Sequence, residues 1–110
     1  MKNTIKAITV LTLIASMASS FADGPGWTLE SNVKNLVVVA TGGINVQLSP
    51  GLSGCTSQSG YGETYASIYP DHPGLNAMHS NLLAAKMSGK KVKLYLFDNK
   101  CKAVEMILID

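Results

Sequence analysis

A mainly β domain with one helix, in the order β-β-β-α-β-β, is what this chain of 110 residues predicts. Three observations carry that expectation. The closing run GKKVKLYLFDNKCKAVEMILID alternates apolar and polar residues on the way into Asp98-Asn99-Lys100 and returns as a largely apolar strand, the pattern of a hairpin. Leu75, Met78, Leu82 and Ala85 recur at three- and four-residue spacing, the pattern of a helix face. VKNLVVVA, from Val33 to Ala40, runs into Gly42-Gly43 and then into Ile44, Val46 and Leu48 in strict alternation, a second hairpin.

Taken in order, the chain begins with a segment that does not belong to the fold. MKNTIKAITVLTLIASMASSFA has Lys2 and Lys6, an apolar run from Ile8 to Ala18 and small residues ending at Ala22. That is the pattern of an export signal cleaved after Ala22, with a run too short to span a bilayer comfortably. The product is expected to be secreted or periplasmic, with residues 23–110 forming a single domain and no transmembrane segment. Asp23 to Gly26 is a lead-in, and Trp27 to Ser31 carries a weak strand signal. Ser49 to Gly62 holds Gly51, Gly54, Gly60 and Gly62 with several serines, a long loop around Cys55. ETYASIY, Glu63 to Tyr69, reads as a third strand with Thr64, Ala66 and Ile68 inward and Tyr65, Ser67 and Tyr69 outward. Asp71-His72-Pro73-Gly74 starts the helix, with Asp71 or His72 as the cap and Pro73 in the first turn. Leu83 and Met87 widen its apolar stripe, and Gly89 ends it. Val92, Leu94 and Leu96 form the inner face of the fourth strand, with Tyr95 and Phe97 outward. The fifth, Ala103 to Ile109, is apolar on nearly both faces, so it is expected to be fully buried or partly covered by another subunit.

A short, curved barrel whose helix fills the gap between the third and fourth strands is the OB layout. Closure would also remove the exposed edges that an exported β protein must otherwise protect. A small OB-like five-stranded barrel is therefore the expected fold, ahead of a helix laid on one flat antiparallel sheet.

Composition narrows the function classes. Without residues 1–22 the chain has 88 residues, enough for one modest core. Loss of Lys2 and Lys6 leaves seven lysines against seven acids and no arginine. That balance argues against a nucleic-acid partner, whose phosphates are met mostly by Arg and Lys. Cys55 and Cys101 are the two cysteines. In an oxidising compartment they are expected to pair, closing a loop of about 45 residues worth about 3–4 kcal/mol. A redox pair or a metal site competes with that reading, but there is no C-x-x-C, and two distant histidines make no ligand cluster.

Catalytic constellations are not apparent. His72 and His79 lie two turns apart with Asp71 close by, Ser80 directly follows His79, and the acids are few and scattered. The Gly-Gly and G-x-G patterns lack a phosphate-binding context. The expectation is a protein that is not an enzyme, with no catalytic residues, no metal and no cofactor. What the sequence does offer is a surface. Tyr65, Tyr69, Tyr95 and Phe97 supply flat rings, and Ser67, Asn99 and Lys100 supply polar groups beside them, a composition suited to sugar rings and hydroxyls.

The run KVKLYLFDNKCKAVEMILI, following a helix that ends in SGK, resembles the C-terminal half of the cholera and heat-labile enterotoxin B subunits. HPG followed by LLAAKMSGKKVKLYL is also similar to a group of small exported Gram-negative proteins of no settled function. Subtilase-cytotoxin-like B subunits share the plan of a helix followed by such a strand. The resemblance covers roughly Leu75 to Ile109. It implies an OB-fold subunit in a cyclic homo-oligomer, a pentamer in the enterotoxins, that binds cell-surface glycans. Phe97 falls where those proteins stack a tryptophan on galactose, and Asn99 and Lys100 fall on the residues that hydrogen-bond that sugar. Asp98 stands where an Asn is expected. The enterotoxins place a cysteine at the position of Tyr95, whereas this chain has Cys101 beyond the turn. The expected function is thus a secreted, non-catalytic binding subunit for a glycan or protein partner. A periplasmic structural, assembly or inhibitor protein is the alternative.

Overall fold

A computed structural model describes residues 25–110, so the expected signal segment lies outside the described residues. The elements are β1 Gly26–Trp27, β2 Asn32–Val38, β3 Ile44–Ser49, β4 Tyr65–Ile68, helix α1 Leu75–Ser88, β5 Lys91–Leu96 and β6 Ala103–Ile109. A short 3-10 turn, Gln58–Gly60, interrupts the long loop between β3 and β4. The five expected strands are present, and β1 adds a sixth.

The expected barrel is not. The strands form two separate three-stranded antiparallel sheets, ordered β2-β3-β4 and β1-β5-β6, and neither closes. Nor do they form the single flat sheet of the alternative. The chain from Gly26 to Val38 serves both: Trp27 pairs with Tyr95, and Ser31 exchanges backbone bonds with Val92 at 2.9 and 2.8 Å. At Asn32 it crosses to Ser49 on β3, and a bulge between Val33 and Asn35 turns it further. One bridge at Ser31–Val92 and one parallel bridge at Ser67–Lys102 join the sheets, and neither extends into a ladder. β4 ends at Ile68, and the edge of β6 beyond Lys102 is met by a side chain, His72, instead of a strand.

The core lies between the two sheets and α1. Val46, Ala66, Ile68, Leu82, Val92 and Leu94 have no exposed surface, which is the alternation read from the sequence. Each buried leucine, isoleucine or valine among them contributes about 1.5–3 kcal/mol. Met78, Leu82 and Ala85 seat the helix, whereas Leu83 and Met87 face outward and do not join the stripe.

The helix start differs from the expectation. Gly74 is the N-cap and carries no side-chain bond, which leaves Pro73 before the helix and Asp71 outside it. His72 works differently from a cap. Its Nδ1 accepts the Gly74 N–H at 2.9 Å, so Nε2 carries the proton and donates to the Val104 carbonyl at 2.8 Å. One imidazole thereby ties the helix entry to β6. At the other end Gly89 adopts φ 72° and returns its N–H to Ala85, a conformation that suits glycine.

β6 is neither buried nor fully covered. Ala103 is buried, while Ile107 and Leu108 are 45% and 39% exposed. Val92 and Leu94 aim their backbone groups at Ser31 and Thr28, so β5 meets β6 through Lys91, Lys93 and Tyr95 and their partners Ile109, Ile107 and Glu105. The amide groups of Met106 and Leu108 therefore point to the opposite edge, which no strand covers among the described residues. The same reasoning leaves Leu36 and Val38 directed out from β2, because Val39 turns its N–H to Gly43.

Candidate functional site

The turn between β5 and β6 is built by one aspartate and one disulfide. Asp98 Oδ1 accepts the backbone N–H groups of Lys100 and Lys102 at 3.0 and 3.1 Å, and Phe97 N–H closes the loop onto the Lys102 carbonyl at 2.7 Å. An acceptor at this position curls the chain back on itself, the behaviour of Asp in tight turns. Cys101 takes φ 68°, left-handed for a residue with a Cβ. It is held there by its bond to Cys55, with Cα atoms 5.1 Å apart, within the normal span of a disulfide. The expected pairing within one chain is therefore present. Two further bonds dock the turn: Thr56 N–H to the Lys100 carbonyl at 3.1 Å and Ser67 N–H to the Cys101 carbonyl at 3.0 Å.

On this fixed turn Phe97 is 64% exposed. The Lys102 ammonium stands 5.7 Å from the Phe97 ring centre and 5.4 Å from that of Tyr69. Both separations are within reach of a cation–π attraction. Asn99 and Lys100 lie exposed on the same turn. Of the six residues expected to bind ligand, four thus gather here: Phe97, Asn99, Lys100 and, through Lys102, Tyr69.

The other two are engaged elsewhere. Tyr95 packs edge-on against Trp27 with ring centres 5.2 Å apart, and Tyr65 does the same with Tyr61 at 5.9 Å. Tyr65 and Tyr69 do not share one strand face, because β4 ends at Ile68. Ser67, expected beside the rings, is 1% exposed. Its hydroxyl donates to Asn45 Oδ1 at 2.8 Å and accepts the Gln58 N–H at 3.0 Å. Asn45 Nδ2 in turn donates to the Gln58 carbonyl at 2.9 Å, and Gln58 Nε2 reaches the Ile68 carbonyl at 3.1 Å. This closed polar set pins the Gly/Ser loop onto the first sheet. Gly43 is part of it, because a Cβ there would run into the Gln58 side chain.

Lys102 and Trp27 are contributors that sequence reasoning did not single out; Tyr61, grouped with Tyr65 and Tyr69 only if their strand ran back through Gly62, lies outside β4, which starts at Tyr65. The signal for Lys102 was its place just past the turn, opposite Phe97. A shallow open groove of about 290 Å³ lies between the β2–β3 turn and the 3-10 turn, lined by Val38, Val39, Ala40, Ser59, Gly60 and Tyr61. It contains none of the expected site residues.

Comparison with family models, characterised proteins and solved structures returns no significant match to this chain. Its function is therefore argued from its own residues. Among the described residues no helix is long and apolar enough to cross a membrane, and no three His, Cys, Asp or Glu side chains cluster as metal ligands.

Proposed function

We propose that the protein is an exported, non-catalytic binding subunit that recognises a glycan through the Phe97 face of its closing hairpin. The observation that carries this reading is a large apolar ring, mostly exposed, on a turn that a disulfide and backbone bonds hold still. A ring ordered in advance loses little further freedom when a sugar's apolar face settles on it. Asn99 and Lys100 offer an amide and an ammonium to the hydroxyls around it. A glycan array probed with the wild type and with Phe97→Ala tests the reading. Wild type is expected to bind and the variant, with unchanged circular dichroism, to lose at least tenfold in affinity. No glycan bound by the wild type, or equal binding by the folded variant, removes the site.

The two uncovered strand edges support a cyclic assembly of several copies, which would raise a weak single-site affinity through avidity. Edges on β2 and β6 belong to different sheets, as a head-to-tail contact requires, and a head-to-tail contact that closes makes a ring. Ile107→Asp is expected to give a folded monomer in native mass spectrometry where the wild type gives a ring. Ile107 is nearly half exposed, so the carboxylate has water to face in the monomer. A wild-type monomer at micromolar concentration would count against assembly and leave the glycan face to stand alone.

A further inference from the structure

We infer that Lys102 makes the hairpin face selective for sugars that carry a carboxylate; the inference rests on the reading that this face binds a glycan. Lys102 Nζ sits over two rings and has no carboxylate or hydrogen-bond acceptor among the described residues. Asp98, the acid of this turn, spends Oδ1 on the turn's own amides, and neither it nor Glu105 forms an ion pair with Lys102. An ammonium has three N–H donors, and a ring face satisfies a cation electrostatically without supplying an oxygen lone pair. The group that completes this site is therefore an anion with an apolar flank.

A pyranose ring bearing a carboxylate has both parts. Its C–H face covers Phe97 while the carboxylate reaches Lys102, with Lys100 on the same turn adding positive potential. A hydroxyl at that place gives only a neutral acceptor, whereas a carboxylate adds the attraction of an opposite charge to the hydrogen bond. Tyr69 and Phe97 also fix where the charge stands, so the preference is positional as well as electrostatic.

The test is a panel of terminal sugars presented in pairs, each carboxylated sugar beside its carboxyl-reduced form on the same linker. Wild type, Lys102→Met and Lys102→Arg are compared, with melting temperature as the control for folding. Wild type is expected to prefer the acidic member by about tenfold, with the preference falling as salt rises. Lys102→Met should bind both members of a pair equally, and Lys102→Arg should retain the preference. Equal wild-type affinity within pairs, or a preference that survives in folded Lys102→Met, overturns the inference and leaves the Phe97 reading intact. Absence of wild-type binding to either member of every pair overturns both.

Discussion

Reduction of the Cys55–Cys101 bond lowers stability by about 3–4 kcal/mol, because the open chain regains the freedom of a long loop. For a domain of this size that is a fall of roughly 12–30 °C in melting temperature. Calorimetry with and without reductant measures it, and a shift below about 4 °C, the equivalent of roughly 1 kcal/mol or less, would sink the account. Local strain should show in the replacement chosen. In the double variant Cys55→Ala with Cys101→Gly, glycine accepts φ 68° freely, so it should recover about 1 kcal/mol relative to Cys55→Ala with Cys101→Ala. The bond constrains the unfolded chain and also holds one residue in a conformation it would not choose.

Asn45→Ala is expected to destabilise the protein by about 3 kcal/mol, as much as a large core truncation. Asn45 has no exposed surface and serves as acceptor to the Ser67 hydroxyl and donor to the Gln58 carbonyl. Its removal strands two buried polar groups at once, each worth about 1–3 kcal/mol when left without a partner. Urea unfolding gives the value, and Ser67→Ala added to Asn45→Ala should cost less than the sum of the two singles, since they share one bond. Gln47→Ala on the same strand is the contrast. Its bonds to Asn35 and Thr64 lie near the surface, and water replaces them at about 0.5 kcal/mol or less. An Asn45→Ala loss no larger than that of Gln47→Ala would mean the network is decoration.

How far the sequence reaches is clearest at the ends of strands. Alternation at Ile44, Val46 and Leu48, and at Val92, Leu94 and Leu96, is local information, and those six side chains are all buried. The helix and the Cys55–Cys101 pair were legible for similar reasons, spacing in one case and compartment chemistry in the other. Barrel closure was not. It depends on whether the pairing at Ser31 and Lys102 continues for several residues, and it does not: a bulge near Val33 turns β2 away, and β4 ends at Ile68. The site divides in the same way. Phe97 is outward because it follows an inward Leu96 at the end of β5. Tyr65 and Tyr69 share a face only on a strand that runs through Tyr69, and β4 ends at Ile68. Ser67 was placed in water because its strand face was read as outward, and the loop that buries it arrives from nine residues upstream. Lys102 reaches the rings from the far side of a left-handed residue, a geometry no periodicity announces.

The Gly/Ser loop has the composition of a flexible linker, yet its attachments give it a different motional character. Cys55 N–H bonds to the Glu63 carbonyl, Thr56 N–H to Lys100, and Gln58 N–H to the Ser67 hydroxyl. The first closes the loop on its own base, and the other two run to the hairpin tip and to β4, so neither of those can open without disturbing another element. The stretch therefore belongs to the same cooperative unit as the sheet beneath it, and its amides open with that unit instead of fraying on their own. Glycine here supplies shape and close approach. Mobility has been taken out of it by where its neighbours are tied.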